Sequence, residues 1–201
     1  MPYDLLAAFA AYAFAISFTP GPNNLMLLTS GVNFGLLRTL PHLAGIAIGF
    51  AVMIAAIGLG LGQMFVRWPV LHTVLRWVSV VYMLWLAWTI ANAGPVKKEG
   101  VAESRPMTFL GAALFQWVNP KAWIMAITAV SAYTVPASYL ASLSTVCAVF
   151  AVMLIPGTGS WTLFGVALRS LLQDPKRVRI FNVAMALTLV ATLVPVVLQR
   201  E

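Results

Sequence analysis

Two stretches of this chain run for more than a bilayer's thickness without a single charged residue. Residues 5–37 lie between Asp4 and Arg38, and residues 39–66 between Arg38 and Arg67. A third stretch, 122–168, would form about 70 Å of continuous helix at ~1.5 Å per residue, more than twice the ~30 Å hydrocarbon core, so it must fold back once. Only 8% of the residues are charged and 61% are hydrophobic, which excludes a water-soluble globule. The sequence therefore predicts an all-α, polytopic membrane protein in which residues 1–201 form one transmembrane domain.

The charge-free gaps and the helix breakers place about six spans. The first two are the stretches just named. A third covers residues 77–96 and ends near Asn92-Ala93-Gly94-Pro95. A polar loop with Lys97, Lys98, Glu99, Glu103 and Arg105 follows. The fourth span covers 107–133, the fifth 139–168 after the break at Tyr133-Thr134-Val135-Pro136-Ala137-Ser138, and the sixth 180–199, with Asp174-Pro175 as a helix start ahead of it. The segment before the first apolar run carries Asp4 and no Lys or Arg, which does not read as a cleaved leader. Cys147 has no partner for an internal disulfide and reads as a lipid-facing or packing residue.

The net charge of +7 does not indicate nucleic acid, because the basic residues punctuate apolar runs rather than cluster on a solvated face. It bears on orientation. Arg38, Lys97, Lys98, Arg105, Arg169, Lys176, Arg177 and Arg179 fall in loops after odd-numbered spans, against Arg67, Arg76 and Arg200 on the other side. The positive-inside rule then puts both termini outside the cytoplasm. A shift of about one hundred residues superposes Pro20 on Pro120 and Phe50-Ala51-Val52-Met53 on Phe150-Ala151-Val152-Met153. Halves of about 1–96 and 106–201, with three spans each, would run in opposite directions, giving a 3+3 inverted repeat.

Two polar interruptions carry the functional reading. In Ser17-Phe18-Thr19-Pro20-Gly21-Pro22-Asn23-Asn24, two prolines remove backbone donors inside the first span, and the helix should break there. In Gln116-Trp117-Val118-Asn119-Pro120-Lys121, an amide, a proline and a full positive charge fall inside the fourth. Broken backbone at bilayer depth persists only where it is buried in protein or lines a wet cavity. Helix ends exposed at such breaks suit a carboxylate at the amino-terminal end and an ammonium at the carboxy-terminal end, the two charges of an amino acid zwitterion. Thr19, Pro20, Gly21, Pro22, Asn23, Asn24, Gln116, Asn119, Pro120 and Lys121 are thus the candidate substrate-binding residues, with Trp117, Trp123 and Met125 as apolar neighbours. The alternative is that the prolines are packing kinks and that Lys121 snorkels or pairs with helix-end carbonyls.

A third Gly/Pro-rich segment, Pro156-Gly157-Thr158-Gly159-Ser160-Trp161, is expected to break the fifth span, either as a gate through Pro156, Gly157 and Gly159 or for close helix packing. Gly45, Gly49, Gly58, Gly60 and Gly62 read as small residues for helix contact, and Trp77, Trp85 and Trp88 as packing or interface anchors. No nucleophile with a base, intramembrane carboxylate pair or set of metal ligands is visible, so neither an enzyme nor a bound cofactor or metal is expected.

The runs P-G-P-N-N, S-G-V-N-F-G-L-L-R-T-L-P-H-L-A-G-I-A-I-G-F and F-Q-W-V-N-P-K-A-W resemble the LysE/RhtB family of amino acid exporters over nearly the whole chain. Pro20, Gly21, Pro22 and Asn23 match the first family motif, and Asn119, Pro120 and Lys121 the second. The stretch Y-M-L-W-L-A-W-T-I is similar to the branch that exports cysteine and O-acetylserine. The resemblance implies a bacterial inner-membrane exporter of amino acids with proton antiport, although no Asp or Glu inside a span offers an evident proton relay. With Lys121 as the nearest charge, a small neutral substrate such as homoserine, threonine, cysteine or O-acetylserine is expected. Export of basic amino acids, a channel, or a non-transporting subunit are the alternatives. The expected partners are this substrate, protons and the lipid bilayer, with a homodimer left open.

Overall fold

The computed structural model describes residues 1–93, 105–172 and 174–198. The expected loop residues Lys97, Lys98, Glu99 and Glu103, the end signal Gly94-Pro95, and Arg200 and Glu201 lie outside the described residues. Within them the chain is helical throughout, with no strand.

The first span is two helices, α1 (Tyr3–Phe18) and α2 (Pro22–Phe34), bent by 55° at Thr19-Pro20-Gly21. The second is α3 (Leu36–Ala56), a π-helical turn (Ile57–Leu61) and α4 (Gly62–Arg67). The third is α5 (Val70–Ala91). It starts seven residues before the expected boundary at 77 and carries Arg76 within it, because the Trp68-Pro69 pair, not the charge, ends the preceding helix. The fourth consists of α6 (Phe109–Phe115), a 3-10 turn (Gln116–Val118) and α7 (Pro120–Tyr133). A second 3-10 turn at Pro136–Ser138 leads into the fifth, α8 (Tyr139–Arg169). The sixth is α9 (Pro175–Ala191) followed by α10 (Val194–Leu198). Asp174 caps α9, its Oδ1 accepting the Lys176 N–H at 2.8 Å.

Four helical runs are long and apolar enough to cross a membrane unaided, and the bent α1–α2 pair makes a fifth. The remaining expected crossing, α6 through α7, is assembled from a ten-residue apolar piece, Phe109–Val118, and α7. Both expected breaks, in the first and fourth spans, are present. The expected break at Pro156 is not: α8 runs through it as one helix. One proline removes a single backbone donor, whereas a break needs the flanking residues to leave helical geometry as well. The Gly157 position serves close packing instead, since a Cβ there would collide with the Ser17 side chain.

The antiparallel α3 and α8 form the centre of the bundle. Phe50 and Phe150 meet edge to face at 5.0 Å, and Phe9 from α1 meets Phe150 at 5.2 Å. Glycines let backbones approach where lipid offers no hydrophobic drive: a Cβ at Gly31 would strike the Thr162 carbonyl, and one at Gly165 the Leu28 carbonyl, so α2 and α8 lie backbone against backbone. Gly45 and Gly49 do the same for α3 against α6, and Gly58 packs on Leu143. Gly60 departs from the expected helix-contact role. No atom lies within 4 Å of a Cβ built there, and its φ of 122° is a non-helical conformation that favours glycine, so the chain kinks at Gly60 between two helical pieces. Trp77, Trp85 and Trp88 are exposed on the outer face of α5, and Cys147 packs half-buried against the central cluster.

The chain ends of the spans sort to two sides. Arg38 and Arg105 line one surface cleft, and Arg169 lies beside Gly35, so the turns after the first, third and fifth spans share one end. At the other end Tyr12 stacks on Tyr133 at 5.5 Å, and the Tyr139 hydroxyl donates to the Gly58 carbonyl at 2.8 Å.

Candidate functional site

Where α1 stops, its last carbonyls face residues that cannot answer them, since Pro20 and Pro22 have no N–H. Each is met by a side chain instead. The Thr19 hydroxyl donates to Ile16 O at 2.9 Å and to Ala15 O at 3.2 Å. Asn24 Nδ2 donates to Ser17 O and Thr19 O, both at 2.8 Å, and Trp161 Nε1 reaches Phe18 O from α8 at 3.2 Å. The largest contribution comes from the other break. Lys121 Nζ, on the first turn of α7, donates to Thr19 O at 2.7 Å, Ile16 O at 3.3 Å and Pro20 O at 3.4 Å. A full positive charge thus sits at the negative end of α1, where the aligned peptide dipoles favour a cation. Of the alternatives open from sequence, pairing of Lys121 with helix-end carbonyls is the arrangement seen.

The second break is built around Asn119, whose extended backbone (φ −96°, ψ 107°) separates the 3-10 turn from α7. Its Oδ1 accepts the Lys121 N–H at 3.2 Å, capping α7 from within the membrane. Gln116 joins the breaks directly. Its Oε1 accepts from Asn23 Nδ2 at 2.9 Å, its Nε2 donates to Asn23 Oδ1 at 3.2 Å, and the same Nε2 donates to Ala112 O at 2.9 Å. Gln116 and Asn119 are 0% and 1% exposed, so these amides are held without competition from water.

Between the breaks lies a cavity of about 20 Å³, room for about one water. Of the ten expected site residues, Gly21, Asn23, Asn24, Gln116, Asn119 and Lys121 line it. Thr19, Pro20, Pro22 and Pro120 do not, and shape the breaks behind it. Met125 lines it as expected of the apolar neighbours, but Trp117 and Trp123 do not. They pack on each other at 6.1 Å, and Trp123 meets Phe65 at 4.7 Å with its indole N–H on Trp117 O. The remaining wall was not foreseen: Ile16 and Ser17 at the end of α1, Phe50 of α3, and Leu154 and Thr158 of α8. Thr158 stands inside the expected gating segment, the one signal that could have found it, while Pro156, Gly157 and Gly159 are not in the lining.

Among the described residues that line the cavity, Lys121 is the one ionisable side chain and none is a carboxylate. Asn24 Oδ1 is the site's unanswered group. The Asn24 side chain is 3% exposed, its Nδ2 is fixed by two carbonyls, and its Oδ1 is buried with no hydrogen-bond partner. An unpaired buried acceptor costs about 1–3 kcal/mol, which a donor entering the cavity would recover. Among the described residues no group of three or more His, Cys, Asp or Glu side chains could hold a metal ion.

A family profile described as LysE type translocator matches residues 14–199. The cysteine/O-acetylserine efflux proteins of Escherichia coli (strain K12) and Shigella sonnei (strain Ss046) are each 32% identical to the chain over 194 residues, covering 94% of it and 96% of their own length. No solved structure matches it.

Proposed function

The chain belongs to the LysE type translocator family, and from that premise we propose that it exports small neutral amino acids or close derivatives from the cytoplasm. Proteins of this kind are transporters rather than enzymes. The observation that carries the substrate reading is the composition of the cavity: amides, helix-end carbonyls and one ammonium, with no carboxylate. The carbonyl end of α1 takes the substrate's own α-ammonium, so a lysine or arginine side chain would add a further cation beside Lys121 with no carboxylate among the lining residues to offset its desolvation. A neutral amino acid brings one ammonium for the carbonyl end of α1 and one carboxylate for the amino-terminal ends of α2 and α7. The relatives named for cysteine and O-acetylserine efflux agree with this class.

In this reading Gly21, Asn23, Asn24, Gln116, Asn119 and Lys121 line the substrate's place, the carbonyls of Thr19 and Pro20 meet its ammonium, and Pro22 and Pro120 hold the breaks open to it. The cavity of about 20 Å³ is too small for any amino acid, so the conformation described is a closed one and transport requires the breaks to part. The close packing of Gly157 on Ser17 supports a gating role for Pro156, Gly157 and Gly159, in which α1 slides against α8 at this point. The two halves, about 1–96 and 106–201, act as an inverted repeat in an alternating-access cycle, supported by breaks about a hundred residues apart that face one another. The protein sits in the bacterial inner membrane with the end bearing Arg38, Arg105 and Arg169 towards the cytoplasm and both termini outside. Export is driven by proton antiport.

Overexpression followed by measurement of extracellular amino acids tests this. A rise in neutral amino acids is expected, and a rise in lysine or arginine alone would overturn the substrate class. Uphill export that persists unchanged with a protonophore would remove proton coupling. In liposomes the purified protein should show saturable exchange of labelled amino acid, whereas a channel would instead carry ionic current.

A further inference from the structure

The carbonyl end of α1 is a cation site that already contains a cation. Thr19 O, Ile16 O and Pro20 O converge on Lys121 Nζ at 2.7, 3.3 and 3.4 Å. An ammonium has three donors, and all three find partners here. Asn24 Oδ1 adds a further acceptor, buried and unpartnered, one amide's width from Thr19 O because Asn24 Nδ2 is bonded to that carbonyl at 2.8 Å. Lys121 Nζ and Asn24 Nδ2 apart, the polar atoms named in this corner accept. A corner of acceptors with a spare one suits a primary ammonium, and its present occupant is tethered to the protein.

We propose that the carbonyl cage of Ile16, Thr19 and Pro20, with Asn24 Oδ1, is the subsite for the substrate's ammonium group, and that Lys121 is a tethered stand-in for it when the site is empty. This rests on the export reading above and specifies it. The three carbonyls converge on the position of a single ammonium, so the substrate's displaces that of Lys121. Gly21 makes the displacement possible: the Lys121 side chain lies across it, with Cδ only 2.8 Å from where a Cβ would be, so the stem can slide over bare backbone. When the substrate leaves, Lys121 returns and the empty carrier closes with its helix-end carbonyls satisfied. The assignment differs from a role for Lys121 as partner of the substrate carboxylate, and it makes the free amino group the determinant of recognition.

The test uses wild-type protein in liposomes exchanging labelled O-acetyl-L-serine, with three unlabelled competitors: 2-aminoethyl acetate, which keeps the amine without the carboxylate; 3-acetoxypropanoate, which keeps the carboxylate without the amine; and N,O-diacetyl-L-serine, whose amine is blocked. The amine is expected to compete at least ~tenfold better than either of the others, because it alone brings charged donors to the carbonyl cage. Equal or better competition by the two compounds without a free amine would overturn the subsite while leaving export intact. Lys121→Met is then expected to lose net uphill export by at least ~tenfold, lose much less of the exchange, and bind 2-aminoethyl acetate more tightly because its internal competitor is gone. Weaker amine binding by Lys121→Met, or equal loss of exchange and net export, would overturn the stand-in role. Transport of no amino acid by the wild type would refute the export reading itself, and the subsite with it.

Discussion

The two breaks look alike in sequence, each a proline beside an asparagine inside an apolar run, yet they do opposite things. The first has two prolines and a glycine and no charged side chain. It exposes carbonyls and supplies the acceptors of the site. The second has one proline, and its Asn119 caps α7 so that the helix restarts at once, aiming Lys121 back across the cavity as the donor. Losing donors at one break and presenting a donor at the other makes the breaks complementary rather than equivalent. Two identical breaks facing one another would put acceptor against acceptor. The same asymmetry shows at the centre, where Phe50 and Phe150 touch each other but Phe50 alone lines the cavity.

The hardest blow to this complementarity is removal of the donor. Lys121→Ala and Asn24→Ala should each reduce uphill export at least ~tenfold with membrane abundance unchanged, since the first removes the cation at the carbonyl end of α1 and the second strands the buried Ser17 carbonyl. Normal export by both variants would leave the breaks as packing kinks. Lys121→Arg should fail too, because a planar guanidinium does not fit a cage built for a point charge over Gly21.

Next in size is the amide clasp. Gln116→Leu and Asn23→Leu should each cut export roughly fivefold, from about 1 kcal/mol for the two hydrogen bonds of the clasp together, and the double variant should be little worse than either alone. Additive losses in a double-mutant cycle would mean that the clasp does not couple the breaks.

Gly157→Ala tests the α1–α8 contact. The added methyl meets Ser17 and should lower stability in detergent by about 1–3 kcal/mol, with Ser17→Gly in the same chain restoring much of it. A thermal unfolding scan that shows no loss would separate the two helices at this point.

The smallest effect on export should come from the central pair. Phe50→Leu removes one edge-to-face contact, worth ~1 kcal/mol in unfolding measurements, and Phe150→Leu removes three and should cost more, but Phe50→Leu alone should also change half-saturation for export. Equal effects of both on half-saturation would erase the asymmetry.

The order of spans, the position of both breaks and the residue types at the site could be read from the sequence, because each rests on a local cause. Charge-free length decides what can cross, and the Pro20, Pro22 and Pro120 positions decide where backbone donors are missing. Local causes misled where one proline or one charge was read as a boundary: α8 passes through Pro156, and α5 takes Arg76 into its length. What only the tertiary structure decided is who answers whom. Lys121 caps a helix that ended about a hundred residues earlier, Gln116 clasps Asn23, and Ser17, Phe50, Leu154 and Thr158 complete a wall that no motif unites. Trp117 and Trp123, adjacent in sequence to the site, turn towards Phe65 instead. These pairings depend on the register in which α1, α2 and α3 lie against α6 and α8. That register is set by backbone-to-backbone approach at Gly31, Gly45, Gly49, Gly157 and Gly165, a property of two helices at once that neither helix's sequence expresses alone.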